Sequence, residues 1–171
     1  MNSVEIGQDD TGYYALHVRH RGEMSIAEAL RRRGYTVLLP NSRHPSPGHS
    51  KSQDALTPLF PGYLFVEASL RGLSQLAYIR GVNSVVKTAG TLRPIPVHEI
   101  ASIRLLCEDP GDCRPCESLT KGQRVRIDSG PFSGFEGILI REPDRYRVVI
   151  SFHCLCSSVA VDLRDTHIST L

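Results

Sequence analysis

Residues 12–39 read GYYALHVRHRGEMSIAEALRRRGYTVLL, and a change of period inside them sets the fold class. From Gly12 to Val18, Tyr14, Leu16 and Val18 alternate with Tyr13, Ala15 and His17, which is the period of a strand. After Gly22 and Glu23 the period lengthens, and Ile26, Ala27 and Leu30 recur at helical spacing. An acid stands in the first turn, Arg31, Arg32 and Arg33 stand in the last, and Gly34 supplies the stop. Tyr35 to Leu39 reads as a second strand.

Outward from this unit, Pro40 to Thr57 is rich in Ser, Pro and His without periodicity and is expected to be a long flexible loop. A third strand is predicted over Gly62 to Glu67, a short helix through Leu70, Leu73, Leu76 and Ala77, and a fourth strand over Asn83 to Lys87. A closing helix runs from Val97 to Cys107 with Ile100, Ile103 and Leu106 inward. Strand, helix, strand, strand, helix, strand is the split βαβ order of ferredoxin-like domains, an antiparallel sheet with helices on one face. Glu108 to Ser118 holds two prolines, one glycine, four acids and two cysteines and reads as a linker. Beyond it come only short strands: Arg124 to Asp128, Phe135 to Arg141, Tyr146 to Phe152, Ser157 to Leu163 and a last one near His167 to Ser169. Five of them, with turns at 129–131 and 142–144, suggest a small SH3-like barrel. The expected organisation is a disordered N-terminus over 1–11, an α+β domain over 12–107, a linker over 108–118 and a five-stranded barrel over 119–171.

The chain has 171 residues and a formal net charge of +2. No apolar run approaches the ~20 residues needed to cross a bilayer, and the polar, acidic first ten residues lack the features of a secretory leader. A cytoplasmic location follows as the expectation. Residues 1–106 carry 12 Lys plus Arg against 8 acids, and residues 107–171 carry 8 against 10. Neither half is basic enough to coat nucleic acid by itself, so any nucleic-acid contact is expected to be local. Of the 20 basic residues 17 are arginines, the side chain better matched to phosphate.

Two motifs narrow the class. Residues 121–138, KGQRVRIDSGPFSGFEGI, place Val125 and Ile127 on one face, and Gly130, Gly134 and Gly137 where tight or positive-φ turns are needed. This stretch resembles the KOW motif. Residues 58–66, PLFPGYLFV, resemble the segment that enters the third strand of the N-terminal domain in NusG-type transcription factors. Further matches follow in order at Tyr13 to Leu16, Gly22–Glu23, Leu39–Pro40, Arg80 to Val82 and Pro94 to Pro96. The likeness covers about residues 12–171, and the chain is identified as a member of the NusG family.

The resemblance implies a factor that rides on elongating RNA polymerase and promotes processive elongation or antitermination. Its N-terminal domain would receive the clamp helices of the largest polymerase subunit at Tyr14, His17, Phe60, Tyr63 and Phe65. Aromatics are the usual anchors of such interfaces; the alternative reading puts any one of them in the core. Leu73, Ser74 and Gln75 match the position that reaches the gate loop. Arg19, His20 and Arg21 match an edge facing upstream or non-template DNA, whereas Arg31, Arg32 and Arg33 read more simply as a solvated helix end. On the KOW domain, Phe132 and Phe135 would meet termination factor Rho or a small-subunit ribosomal protein, or else cap the barrel. Tyr13 where the family commonly has Trp, the short cysteine-bearing linker, and Cys154 with Cys156 point to a specialised paralogue of the RfaH, LoaP or UpxY kind. A housekeeping factor and a KOW-type RNA- or ribosome-binding protein stand as alternatives.

Cys113–Arg114–Pro115–Cys116 has the spacing of a redox pair or half of a zinc site. It lies in an acidic linker and not between a strand and a helix, and no second C-x-x-C accompanies it, so incidental thiols are expected. No nucleophile elbow, P-loop or dinucleotide fingerprint occurs in the sequence. The expectation is a monomeric protein without catalytic residues, metal, cofactor or membrane partner.

Overall fold

The computed structural model describes residues 11–42, 57–108, 113–116, 122–130, 132–142, 145–152, 155, 157–162 and 167–171. The N-terminal tail to residue 10, the interior of the 40–57 loop, the turn at 143–144 and the Cys154, Cys156 pair lie outside them. The chain divides into two compact units, Met1–Leu39 with Gly62–Ile100, and Pro40–Pro61 with Ala101–Leu171.

The first unit follows the periodicity. Strand β1 (Gly12–Val18) leads into helix α1 (Glu23–Arg31) and the short β2 (Val37–Leu38), and β5 (Tyr63–Ala68), α2 (Leu70–Leu76) and β6 (Val82–Val85) follow. The sheet order is β2-β5-β1-β6, with β5 antiparallel to both β1 and β2. Inserting β5 between two parallel strands is what splits the βαβ unit. Tyr14, Leu16 and Val18 pack with Leu64, Val66 and Ala68 beneath Ile26, Ala27 and Leu30 of α1 and Leu73 and Leu76 of α2. Each fully buried leucine here contributes about 1.5–3 kcal/mol by leaving water. Ser69 caps α2, its Oγ accepting from the Gly72 amide at 3.2 Å.

One buried carboxylate ties this unit together. Glu23, in the first turn of α1 and 3% exposed, accepts a 2.7 Å hydrogen bond from the amide of Gly62. Gly62 has φ +80°, a conformation suited to glycine, and its carbonyl accepts from the amide of Val18 at 2.8 Å. The turn entering β5 is therefore held from both sides, by α1 and by the end of β1.

The second unit contains the hairpin of β3 (Asn41–Ser42) and β4 (Thr57–Pro58), the end of α3 (Val97–Glu108), and the strands β7 (Arg114–Cys116), β8 (Gln123–Ile127), β9 (Glu136–Glu142), β10 (Arg145–Phe152), β11 (Ser157–Asp162) and β12 (Ile168–Thr170). Strands β8 to β12 are the five expected. They form an antiparallel sheet in the order β12-β8-β9-β10-β11-β7. Two expectations need revision. Arg114–Cys116, read as linker, is a sixth strand paired with β11; local composition could not show that the open edge of β11 was there to receive it. The mouth of the 40–57 loop is likewise a β-ladder, Asn41 opposite Pro58 and Ser42 opposite Thr57. Gly130 and Gly134 do take positive φ, but Gly137 does not. It lies within β9, where a Cβ would stand 2.5 Å from the carbonyl oxygen of Val149, so close packing against β10 requires it.

The buried Glu23 yields a stability prediction. Glu23→Ala should lower unfolding free energy by about 2 kcal/mol, since it leaves the Gly62 amide without its acceptor. Glu23→Gln keeps an acceptor oxygen and should recover about half, as measured by urea denaturation.

Candidate functional site

On the sheet face opposite α1 and α2, β1 presents Tyr13, Ala15 and His17 opposite Glu67, Phe65 and Tyr63 of β5. The His17 and Tyr63 rings lie 5.3 Å apart at 39°, His17 exposed and Tyr63 half-buried. The Tyr13 hydroxyl donates to Glu67 Oε2 at 3.2 Å. The face thus carries a polar-rimmed aromatic stripe running across two paired strands.

The sequence-derived aromatic set divides. Tyr63, Phe65 and His17 share this face, but Tyr14 points to the helix side and is buried in that core. Strand alternation requires this, because Tyr14 and His17 are an odd number of residues apart and cannot share a face. The same alternation identifies Tyr13, which the motif match passed over as a contact. Phe65 is fully buried. Phe60 falls in the second unit, where it is buried and meets Phe152 edge-on with ring centroids 5.0 Å apart.

At the end of β1, Arg19, His20 and Arg21 are all exposed. The Arg19 amide donates to the Gly81 carbonyl at 2.8 Å, and Gly22 closes a turn onto the Arg19 carbonyl at 2.9 Å. Arg21 takes φ +61°, a left-handed conformation costing an L-residue about 1–2 kcal/mol, in a turn thus fixed on both flanks. His20 Nδ1 stands 3.7 Å from Glu23 Oε1. The helical arginines are engaged locally: Arg31 donates to the Val37 carbonyl at 3.0 Å, Arg33 to the Ala29 carbonyl at 3.1 Å, and Arg32 pairs with Glu28 at 3.8 Å. Of the three α2 residues singled out, Ser74 and Gln75 are exposed. Leu73 is not available, because it packs inward with Leu76 one turn on.

On the second unit the turn between β8 and β9 is drawn closed by Gly134 N to Ile127 O at 2.7 Å and Ile127 N to Phe135 O at 2.8 Å. Phe132 is buried and Phe135 half-buried, their rings 6.3 Å apart and 70° inclined. Phe132 is therefore part of the packed interior of this unit, and Phe135 leans on it while remaining partly exposed. Beside them Glu136 pairs with Arg126 at 3.2 Å and Arg124 at 3.5 Å. Cys113 is buried, its carbonyl accepting from Ser42 Oγ at 2.9 Å, while Cys116 stands half-buried in β7. Among the described residues no group of three or more His, Cys, Asp or Glu could hold a metal ion, and no helix is long and apolar enough to cross a membrane.

The first unit is a split βαβ sheet and the second a KOW-type β unit. The family profile for transcription termination factor nusG matches residues 11–104, and the chain belongs to the NusG family of transcription termination and antitermination factors. It is 26% identical to the transcription termination/antitermination protein NusG of Borreliella burgdorferi, over 66% of this chain and 68% of that one. With its counterpart in Treponema pallidum it shares 30% identity over 61% of this chain and 64% of the other. A solved structure of Thermotoga maritima NusG aligns with a TM-score of 0.62 at 20% identity, covering 94% of this chain and 98% of that one, a likeness of fold.

The unequal burial across the stripe has a measurable consequence. Phe65→Ala should cost about 3–5 kcal/mol of stability, whereas Tyr63→Ala should cost about 1 kcal/mol or less. Chemical denaturation of the two variants checks this and shows which is fit for binding work.

Proposed function

We propose that this chain rides on elongating bacterial RNA polymerase and promotes processive elongation or antitermination at selected operons. The observation that carries the reading is the His17–Tyr63 stripe, an accessible aromatic pair seated on two strands that β-pairing holds rigid. Tyr63 and His17 offer large contact area at small conformational cost, the chemistry expected of a surface that takes the clamp-helix tip of the largest subunit. Tyr13 and Phe65 form the floor of that surface. Tyr14, in the helix-side core, and Phe60, packed on Phe152, are left out of it.

The remaining contacts follow from exposure. Arg19, His20 and Arg21 form an edge suited to upstream or non-template DNA, and Ser74 with Gln75 supply the gate-loop side without Leu73. Phe135, which remains partly exposed, is the contact proposed for Rho or a small-subunit ribosomal protein. Direct RNA binding by this unit is disfavoured, since residues 107–171 carry 8 Lys plus Arg against 10 acids. The domain limits follow the motifs, an N-terminal domain over 12–107 and a KOW domain over 119–171, with β7 added to the latter's sheet.

Two experiments test this reading. A stalled elongation complex should retain the purified protein on gel filtration, and a His17→Ala, Tyr63→Ala double variant should bind about tenfold or more weakly; equal retention of the variant would remove the stripe from the interface. Depletion should shift transcript ends at a few long operons. A change spread over the whole genome would favour a housekeeping role instead.

A further inference from the structure

The C-x-x-C segment is a sequence motif that the proposed function leaves unused, and the fold sets it on a sheet edge. Cys113 leads into β7 (Arg114–Cys116), a three-residue strand laid against β11. The structure holds both residues as thiols, Cys113 buried at 1% exposure and Cys116 half-buried. They cannot be joined where they stand. Residues 114 and 115 are both extended, so at about 3.3 Å per residue the Cys113 and Cys116 Cα atoms lie roughly 10 Å apart. That is beyond the ~7 Å limit for a disulfide. Three positions apart on extended chain, the two side chains also leave opposite sides of it, in keeping with their unequal burial.

The strand is lightly held. Its register sets Arg114 opposite Ala160, Pro115 opposite Val159 and Cys116 opposite Ser158. Proline has no N–H to donate, so Pro115 occupies the position whose backbone groups turn away from β11, and the ladder bonds fall to Arg114 and Cys116. By contrast β11 pairs with β10 along all six of its residues. At the entrance to β7 the Cys113 carbonyl accepts from Ser42 Oγ at 2.9 Å. Lifting β7 therefore breaks few hydrogen bonds, each worth about 0.5–1.5 kcal/mol net, and leaves the β10–β11 ladder whole. Such an edge opens locally at far lower cost than the sheet unfolds.

We propose that Cys113 and Cys116 form a redox switch on this edge: as thiols they permit β7, and as a disulfide they expel it and uncover β11. The oxidant is a low-molecular-weight disulfide of the glutathione class. The Cys116 thiolate, at the more accessible sulfur, attacks that disulfide, breaking its S–S bond and releasing one thiol as a mixed disulfide forms. When β7 lifts, the Cys113 thiolate attacks the Cys116 sulfur, the mixed disulfide breaks and the second thiol leaves. The two protein sulfurs are oxidised, the small disulfide is reduced to two thiols, and these carry away the two protons. Closure draws the Cα atoms to within about 7 Å. That ends the extended course of residues 114 and 115, and β7 re-forms only when the bond is reduced. The uncovered edge presents the backbone N–H and C=O groups of Ser158 and Ala160 without partners, the condition under which another strand adds to a sheet.

The test is equilibration of the full chain in glutathione buffers of increasing oxidised fraction, with disulfides mapped by peptide mass spectrometry and amide exchange read by NMR. A Cys113–Cys116 disulfide should form. With it, exchange at Ser158 and Ala160, whose amides face β7, should rise roughly tenfold or more. The amides of Val159 and Val161, which face β10, should keep their protection, and dithiothreitol should reverse the change. Cys116→Ser, at a half-buried position, should abolish the response, while Cys107→Ser should leave it in place. If the disulfide forms and exchange at Ser158 and Ala160 stays as in the reduced protein, the strand is not expelled and the switch is overturned. It is overturned equally if the most oxidising buffer yields no Cys113–Cys116 bond, or pairs either residue with Cys107, Cys154 or Cys156 instead. Loss of protection at Val159 and Val161 as well would mean that oxidation unfolds the sheet, and persistence of the response in Cys116→Ser would remove the pair from it; either result defeats the proposal.

Discussion

The hydrogen bond from the Gly62 amide to the buried carboxylate of Glu23 is the constraint on which the N-terminal unit is organised. It joins residues 39 positions apart and fixes the start of α1 against the turn that launches β5. A carboxylate taken out of water needs strong donors to compensate its lost hydration, and a backbone amide in a positive-φ glycine turn can point straight at it. With that turn set, β5 enters the sheet between β1 and β2 in a single register. The register places His17 opposite Tyr63 and Ala15 opposite Phe65, so the candidate docking stripe follows from the same bond. The turn at Arg19 to Gly22, which presents the basic edge, is also anchored where α1 begins.

The two sides of this sheet divide the work. One carries the leucines, valines and Tyr14 beneath the helices, where packing contributes stability and nothing is accessible. The other carries an aromatic and polar stripe whose margin, His17 and Tyr63, is open. Because side chains alternate along a strand, a shift of one residue would exchange these roles entirely. The hydrophobic core thereby protects the register on which the functional face depends, and the chemistry of recognition is carried by residues whose loss leaves that core intact.

Most of the fold is legible along the chain. β1 spans the residues its alternation indicates, α1 and α2 fall where the apolar spacing puts them, and the ferredoxin-like order emerges from the succession of periods. The candidate site is legible in outline only. The motif around Gly62 draws attention to the correct strand, yet it groups Tyr14 with His17 against the strand period and passes over Tyr13. Leu73 is assigned to a contact although its spacing with Leu76 marks it as core.

What the sequence determined by itself is local: period, turn chemistry, the swap from helix to strand texture beyond residue 118, and the pairing of two motifs in one chain. These are properties of neighbouring residues, and short-range sterics and hydrophobic alternation fix them. Tertiary structure decided everything that depends on residues far apart meeting. It recruited Arg114–Cys116 to the open edge of β11, set Phe60 against Phe152, and required Gly137 where β9 crosses close to the Val149 carbonyl. It also brought Gly81 to Arg19, whose amide donates to the Gly81 carbonyl. An unpaired strand edge, a gap in a core or a clustered charge exists only once the chain has closed on itself, which is why no local pattern could announce it.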